Sequence, residues 1–387
     1  MTGRKEMINK SPYKGTVLAV TVNACRLLLA ATFLFSGFVK ANDPMGTMYK
    51  LQDYTNSMLH LTMPDIFLIT CSVILATVEF SLGACILFAI KKKATARFAL
   101  LFMAIMTILT VYIAIANPVA NCGCFGDVII LSNTATLAKN IILLAAAFII
   151  NKYYRLQKEF AGGNIKCLVM LITFCSIIAY SVFCIINLPF FDFRPYKVGT
   201  NLYEGVTRTE QEYDIKIVYE KDGQTIELTV EDDDPDSTWQ YVDTKRIPIG
   251  EKHEALDFHI TSSEGDDITE EVLAQDGFLF LLIIPDLLNA DEGCINRINE
   301  AYDFAMSQEI PFYCLTASAS ISDQEYWTEH TGAEYDYLFS DDRVLKTVVR
   351  AQPGLVLLHD ATIIHKWSNY NMPDTMQLST LLGTTKL

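Results

Sequence analysis

The 387-residue chain is 51% hydrophobic and carries 30 Lys/Arg against 45 Asp/Glu, a formal charge of −15 that is spread very unevenly. Residues 1–188 hold 16 basic and 7 acidic side chains, and residues 189–387 hold 14 and 38, so the balance swings from +9 to −24. A swing of that size puts the two halves in different solvents, and the acidic half excludes electrostatic binding to nucleic acid.

In chain order, a basic stretch over 1–14 precedes five apolar segments near 15–38, 64–90, 98–117, 135–151 and 166–188. Each approaches the roughly 20 helical residues that cross a hydrocarbon core of about 30 Å. The fourth is the shortest and has Lys139 and Asn140 near its start. The first is too long for a cleaved signal peptide and lacks a small-residue cleavage pattern before Lys40. Twelve cations (Arg4, Lys5, Lys10, Lys14; Lys91, Lys92, Lys93, Arg97; Lys152, Arg155, Lys158, Lys166) fall in the N-terminus and alternate loops, against Lys40 and Lys50 on the other side. That bias predicts a cytoplasmic N-terminus and, after five spans, an extracytoplasmic second half, as in a bacterial inner-membrane protein with a periplasmic domain.

The outer loop at 118–134 carries Asn121-Cys122-Gly123-Cys124-Phe125-Gly126-Asp127. Two thiols one residue apart can close a small, strained ring, and strain makes a disulfide easier to reduce. Gly123 and Gly126 permit the tight turn this requires. A reversible redox pair, a static disulfide that pins the loop, and a two-thiolate metal site all fit the spacing. A zinc site would lack its remaining His or Cys ligands, so no metal is assigned.

Phe33-Leu34-Phe35-Ser36-Gly37-Phe38-Val39-Lys40 with Asp43-Pro44, Glu79 in the second span, and the NCGCFGD loop together resemble the DoxX-like and MauE family of redox-associated membrane proteins. The likeness covers about residues 15–155. It implies a four-helix membrane bundle that works with a thioredoxin-like partner in extracytoplasmic disulfide or maturation chemistry, with Cys122 and Cys124 as the reacting pair. Gly123, Phe125, Gly126, Asp127 and Lys40 would support that pair. The bundle is also distantly similar to the DsbB and vitamin K epoxide reductase type, which implies a quinone as cofactor; no second Cys pair is evident in an outer loop here.

Two charges fall inside the membrane. Arg26 and Glu79 each lie 11 residues from the inner end of their predicted spans, about 16 Å deep at 1.5 Å per residue. Unpaired charges there are costly, so an Arg26–Glu79 ion pair is expected. Lys40, at the outer helix end, is expected to reach the headgroups or to meet Asp43 or Asp127. Cys71 and Cys184 lie in the outer halves of their spans and are the candidate resolving thiols among the membrane cysteines.

After the fifth span, 200–250 contains a predicted hairpin, Ile215–Glu220 and Thr225–Val230 around Lys221-Asp222-Gly223-Gln224. The acidic run Glu231 to Asp236 reads as a solvated turn. Across 251–387 the predicted order is strand Phe278–Ile284, helix Cys294–Gln308, strand Pro311–Thr316, helices near 323–331 and 341–350, then strands Gly354–His359 and Thr362–Trp367. This α/β order resembles the thioredoxin-like fold. The resemblance implies a cis-proline at Gln352-Pro353 beside a cleft that includes Cys294. Where such enzymes carry Cys-x-x-Cys, Asp291-Glu292-Gly293-Cys294 offers one thiol, and the carboxylates raise its pKa. The domain therefore reads as a docking module for an envelope partner or client. The alternative to a redox membrane protein is a non-catalytic, membrane-anchored assembly factor.

Overall fold

The computed structural model describes residues 12–119, 122–158, 163–207, 213–221, 224–229, 238–248 and 256–383. The acidic run 231–236, Asn121 and the basic residues of 1–11 lie outside the described residues. The chain divides into two units: Met1–Arg194 with Trp367–Met372, and Pro195–Lys366 with Pro373–Leu387.

The first unit is helical: α1 Pro12–Asn42, α2 Pro44–Leu59, α3 Asp65–Leu87, α4 Lys92–Ala116, α5 Asn133–Lys152 and α6 Gly163–Asn187. Five of these, all but α2, are long and apolar enough to cross a membrane. Their outward faces remain apolar, with Ile66, Ile108 and Ile115 more than 70% exposed, as lipid rather than water demands. Inside, small residues replace bulky ones. Ala30, Ala96, Ala99, Ala146 and Ala147 are buried with Leu29, Phe33, Leu82, Met103, Leu143 and Ile150, which lets helix backbones approach where no hydrophobic effect drives them together. The tightest approach is α1 against α3: a Cβ on Gly37 would lie 2.4 Å from the Phe80 nitrogen, and one on Gly83 would lie 2.7 Å from the Leu34 nitrogen.

That contact fixes the register of α1 on α3, and it overturns the expected Arg26–Glu79 pair. With Gly37 at Phe80 and Leu34 at Gly83, Arg26 falls level with Lys91, a dozen residues or about 18 Å along the axis from Glu79. Arg26 Nη1 instead donates to the Lys158 carbonyl at 2.5 Å. Counting depth from predicted span ends placed the two charges at one level; the packing register places them at different ones.

Helix α2 was not expected from hydropathy, because it is not a span. Its start is nevertheless written in the chain: Asp43 accepts from the Gly46 N–H, and Pro44 sits in the first turn, where its missing N–H costs nothing.

The second unit holds two sheets. The three-stranded antiparallel sheet has order β2-β1-β3, with β1 Tyr213–Lys221, β2 Gln224–Thr229 and β3 Gln240–Pro248; its third strand was not foreseen. The five-stranded sheet has order β6-β5-β4-β7-β8, with β4 Phe278–Ile284, β5 Phe312–Thr316, β6 Asp336–Phe339, β7 Gly354–His359 and β8 Thr362–Ser368. Strand β4 pairs parallel with β5 and antiparallel with β7, and β5 pairs parallel with β6. The unbroken apolar run of β4 is buried from Leu279 to Ile284, as a central strand covered on both faces requires. Asp360 and Ala361, both at positive φ, make the two-residue β7–β8 turn. Bridges Asn201–Thr362 and Thr261–Phe339 cover the two sheet edges. Helices α7 Leu202–Thr207, α8 Thr269–Leu273, α9 Ile295–Ser307, α10 Ile321–Thr331, α11 Asp342–Val348 and α12 Thr375–Leu381 complete the unit.

Candidate functional site

The loop between α4 and α5 is closed at its base by Asn133, whose Nδ2 donates to Asn117 Oδ1 at 2.7 Å and to the Val119 carbonyl at 2.9 Å. Above that clasp the chain turns at Gly123 and Gly126, both at positive φ and joined by a Gly126 N–H to Gly123 carbonyl bond of 3.1 Å. A Cβ at Gly126 would lie 2.9 Å from Val39 Cγ1, so glycine is needed here for space as well as for φ. The turn brings the sulfurs of Cys122 and Cys124 to 3.0 Å, as free thiols.

Each cysteine carbonyl is held by a different helix. Tyr54 of α2 donates its hydroxyl to the Cys122 carbonyl at 2.5 Å. The Cys124 carbonyl accepts from Ser36 Oγ at 2.8 Å and from Lys40 Nζ at 2.9 Å, both on α1. Lys40 also donates to Ser36 Oγ at 2.7 Å and forms an ion pair with Glu79 at 2.8 Å, with side-chain exposures of 5% and 3%. All three N–H directions of the ammonium are therefore used. Lys40 thus reaches neither headgroups nor Asp43 nor Asp127. Cβ vectors on a helix point toward its N-terminus, so its side chain runs back along α1 to the level of Ser36 and Glu79. Asp43 is occupied in capping α2, and Asp127 lies exposed on the turn.

Two more side chains complete the wall. Phe125 packs edge-on against Phe35 at 5.4 Å between centroids, and Lys139 Nζ of α5 lies 4.1 Å from the centre of its ring, a cation–π contact. Between α1, α3, α4 and α5 a cavity of about 30 Å³ is lined by Ser36, Lys40, Glu79, Cys124, Phe125 and Lys139 among others. It has room for water and falls far below the roughly 300 Å³ of a typical cofactor pocket.

The pair is electrostatically asymmetric. Cys124 is held below the ordinary thiol range, first because Cys122 donates its S–H to it and then because Lys139 and Lys40 are positive. Cys122 is pushed up, by that same bond and by burial. One thiolate accepting from its neighbouring thiol is the reactive form of a dithiol. Sequence reading located Cys122, Gly123, Cys124, Phe125, Gly126, Lys40 and Glu79, but gave no role to Ser36, Tyr54 or Lys139. Tyr54 was hidden because α2 was. The polar start of the fourth span, Lys139 and Asn140, was the available signal for Lys139. No hydrogen bond among the described residues links Cys71 or Cys184 to the pair.

In the α/β unit, the Gln352–Pro353 peptide bond is cis. Gln352 Nε2 donates to the Asp286 carbonyl at 2.9 Å, and its own carbonyl accepts from the Asp291 N–H at 3.1 Å, which brings the Cys294 loop beside Pro353. Cys294 is buried. Its pKa is pushed up to about 12, chiefly by burial and then by Asp291.

A helical membrane bundle with a dithiol turn set on a buried ion pair defines the class of the first unit. Residues 18–151 match the family model described as methylamine utilisation protein MauE. Residues 213–251, which include the three-stranded sheet, match a domain of unknown function (DUF8463). No curated protein and no solved structure matches the chain.

Proposed function

We propose that this MauE-family membrane protein exchanges disulfides with an extracytoplasmic protein through Cys122 and Cys124. The supporting observation is the thiol pair itself: two sulfurs 3.0 Å apart on a turn whose carbonyls are gripped by Tyr54, Ser36 and Lys40. In the reducing direction the Cys124 thiolate attacks one sulfur of a partner disulfide, forming a mixed disulfide and releasing one partner thiolate. Cys122 then gives up its proton and attacks Cys124 sulfur, closing the Cys122–Cys124 bond and releasing the second partner thiolate. Two electrons reach the partner, and the reverse sequence, with a partner dithiol as donor, restores the pair. The small ring favours ready reopening.

The positive-inside bias supports an inner-membrane orientation with this turn and the acidic unit on the periplasmic side. The acidic unit is then a thioredoxin-like docking module. Its strand order supports that reading, and the burial of both its thiols, Cys294 and Cys314, favours binding over exchange. Alkylation with a mass-shifting maleimide, before and after mild reductant, tests the exchange reading in the native membrane. Cycling requires the pair to convert between zero and two added labels at thioredoxin-like potentials. A pair locked in one state, with a fully functional Cys122→Ser/Cys124→Ser variant, would leave the assembly-factor reading in its place.

A further inference from the structure

At the opposite end of the bundle from the thiol turn, the helix ends enclose an open cleft of about 670 Å³. Lys91, Lys92, Lys93 and Arg97 reach it from the α3–α4 turn, Arg155 from the short turn that follows α5, and Lys166 from the start of α6. No carboxylate is found among the described residues that line it. A bias in loop charge accounts for the number of these cations but not for their convergence from three separate segments on one concavity.

The cleft has a defined depth. Span α4 begins at Lys92 and span α5 ends at Lys152, so its wall is built at the level where hydrocarbon gives way to headgroups. Tyr154, an aromatic residue suited to that level, lines the cleft as well. Lys92 Nζ is anchored to the Gln157 carbonyl at 2.7 Å, which fixes one wall to the other. We propose that this cleft binds the phosphate of an anionic membrane lipid. Its volume falls within the range of small-ligand sites, its guanidinium groups suit bidentate contact with phosphate oxygens, and basic pockets between helices at a membrane face recognise anionic headgroups. The site does not depend on the redox reading, since none of its residues touches the thiol turn.

Native mass spectrometry of the full chain in an uncharged detergent, titrated with phosphatidylglycerol or phosphatidylcholine, tests this. The expected result is at least tenfold tighter retention of phosphatidylglycerol. Arg97→Gln/Arg155→Gln should abolish that preference. Lys152→Gln/Lys158→Gln, which removes the same charge at the same end without lining the cleft, should keep it. Equal retention of the two lipids by the unaltered protein overturns the proposal and requires no variant to fold. Equal loss in both double variants overturns it too, because general charge would then suffice. Millimolar inorganic phosphate should leave the bound lipid in place; displacement would assign the cleft to a soluble anion and overturn the lipid assignment.

Discussion

The two units each present a cysteine near a polar turn, and the surroundings give the two thiols opposite character. Cys124 has a second thiol 3.0 Å away and the cations Lys139 and Lys40 nearby, whereas Cys294 is buried beside Asp291. A thiolate needs a donor and positive charge; burial beside a carboxylate supplies the reverse. The comparison teaches that the membrane unit, not the α/β unit, has the environment for thiol chemistry.

The comparison fails most visibly if the ion pair beneath the thiol turn is dispensable. Lys40→Ala leaves Glu79 buried without its partner and removes a donor from the Cys124 carbonyl. We expect about 3–5 kcal/mol of destabilisation, the scale for breaking a buried pair, read as a lowered thermal midpoint in detergent. Lys40→Met/Glu79→Leu should recover most of it. A single variant as stable as the parent would remove the pair from the architecture of the site.

Iodoacetamide kinetics sharpen the contrast between thiols. In reduced protein at pH 7, Cys124 should alkylate at least about tenfold faster than Cys294, since only the thiolate reacts. Its midpoint should lie below the ordinary value of about 8.5. Because the lowered pKa depends first on the Cys122 S–H, Cys122→Ala should move that midpoint upward. Cys294, at about 12, should stay protonated and slow through pH 10. Equal rates would erase the distinction between the two units.

Gly37→Ala tests whether the α1–α3 approach sets the register that delivers Lys40 to Glu79. Its Cβ would meet Phe80 backbone atoms at 2.4 and 2.8 Å, so the helices must separate. Overpacking of this kind costs about 1–3 kcal/mol, and the Cys124 alkylation rate should change with it. The smallest effect belongs to Asp291→Asn. Burial leads and Asp291 follows in raising the Cys294 pKa, so its titration midpoint should fall by less than about one unit. A larger fall would make the carboxylate, not burial, the dominant influence.

Several features were legible in the chain because their cause is local. Spans follow from runs of apolar residues, the cysteine turn from its glycines, and a short turn at His359-Asp360-Ala361 from the two strand-like runs on either side, of which Asp360 and Ala361 form the turn itself. The cis bond at Gln352–Pro353 was expected from a family resemblance and not from any local pattern. Other features depended on partners far away in sequence. Tyr54 came to the site on a helix that hydropathy passed over, and β6, only four residues long, is too short to announce itself by pattern. Ser36 was visible in its motif, yet its bond to the Cys124 carbonyl spans 88 positions.

By itself, the amino-acid order determined that this protein has five apolar spans, an acidic second half and a Cys-Gly-Cys turn, since composition, periodicity and glycine spacing act over a few residues at a time. Tertiary packing decided which charge meets Glu79, which donors hold the two cysteine carbonyls, and which cations gather at the other end of the bundle. Those outcomes depend on how one helix is set along another, and a backbone contact between Gly37 and Phe80 sets that register where hydropathy does not.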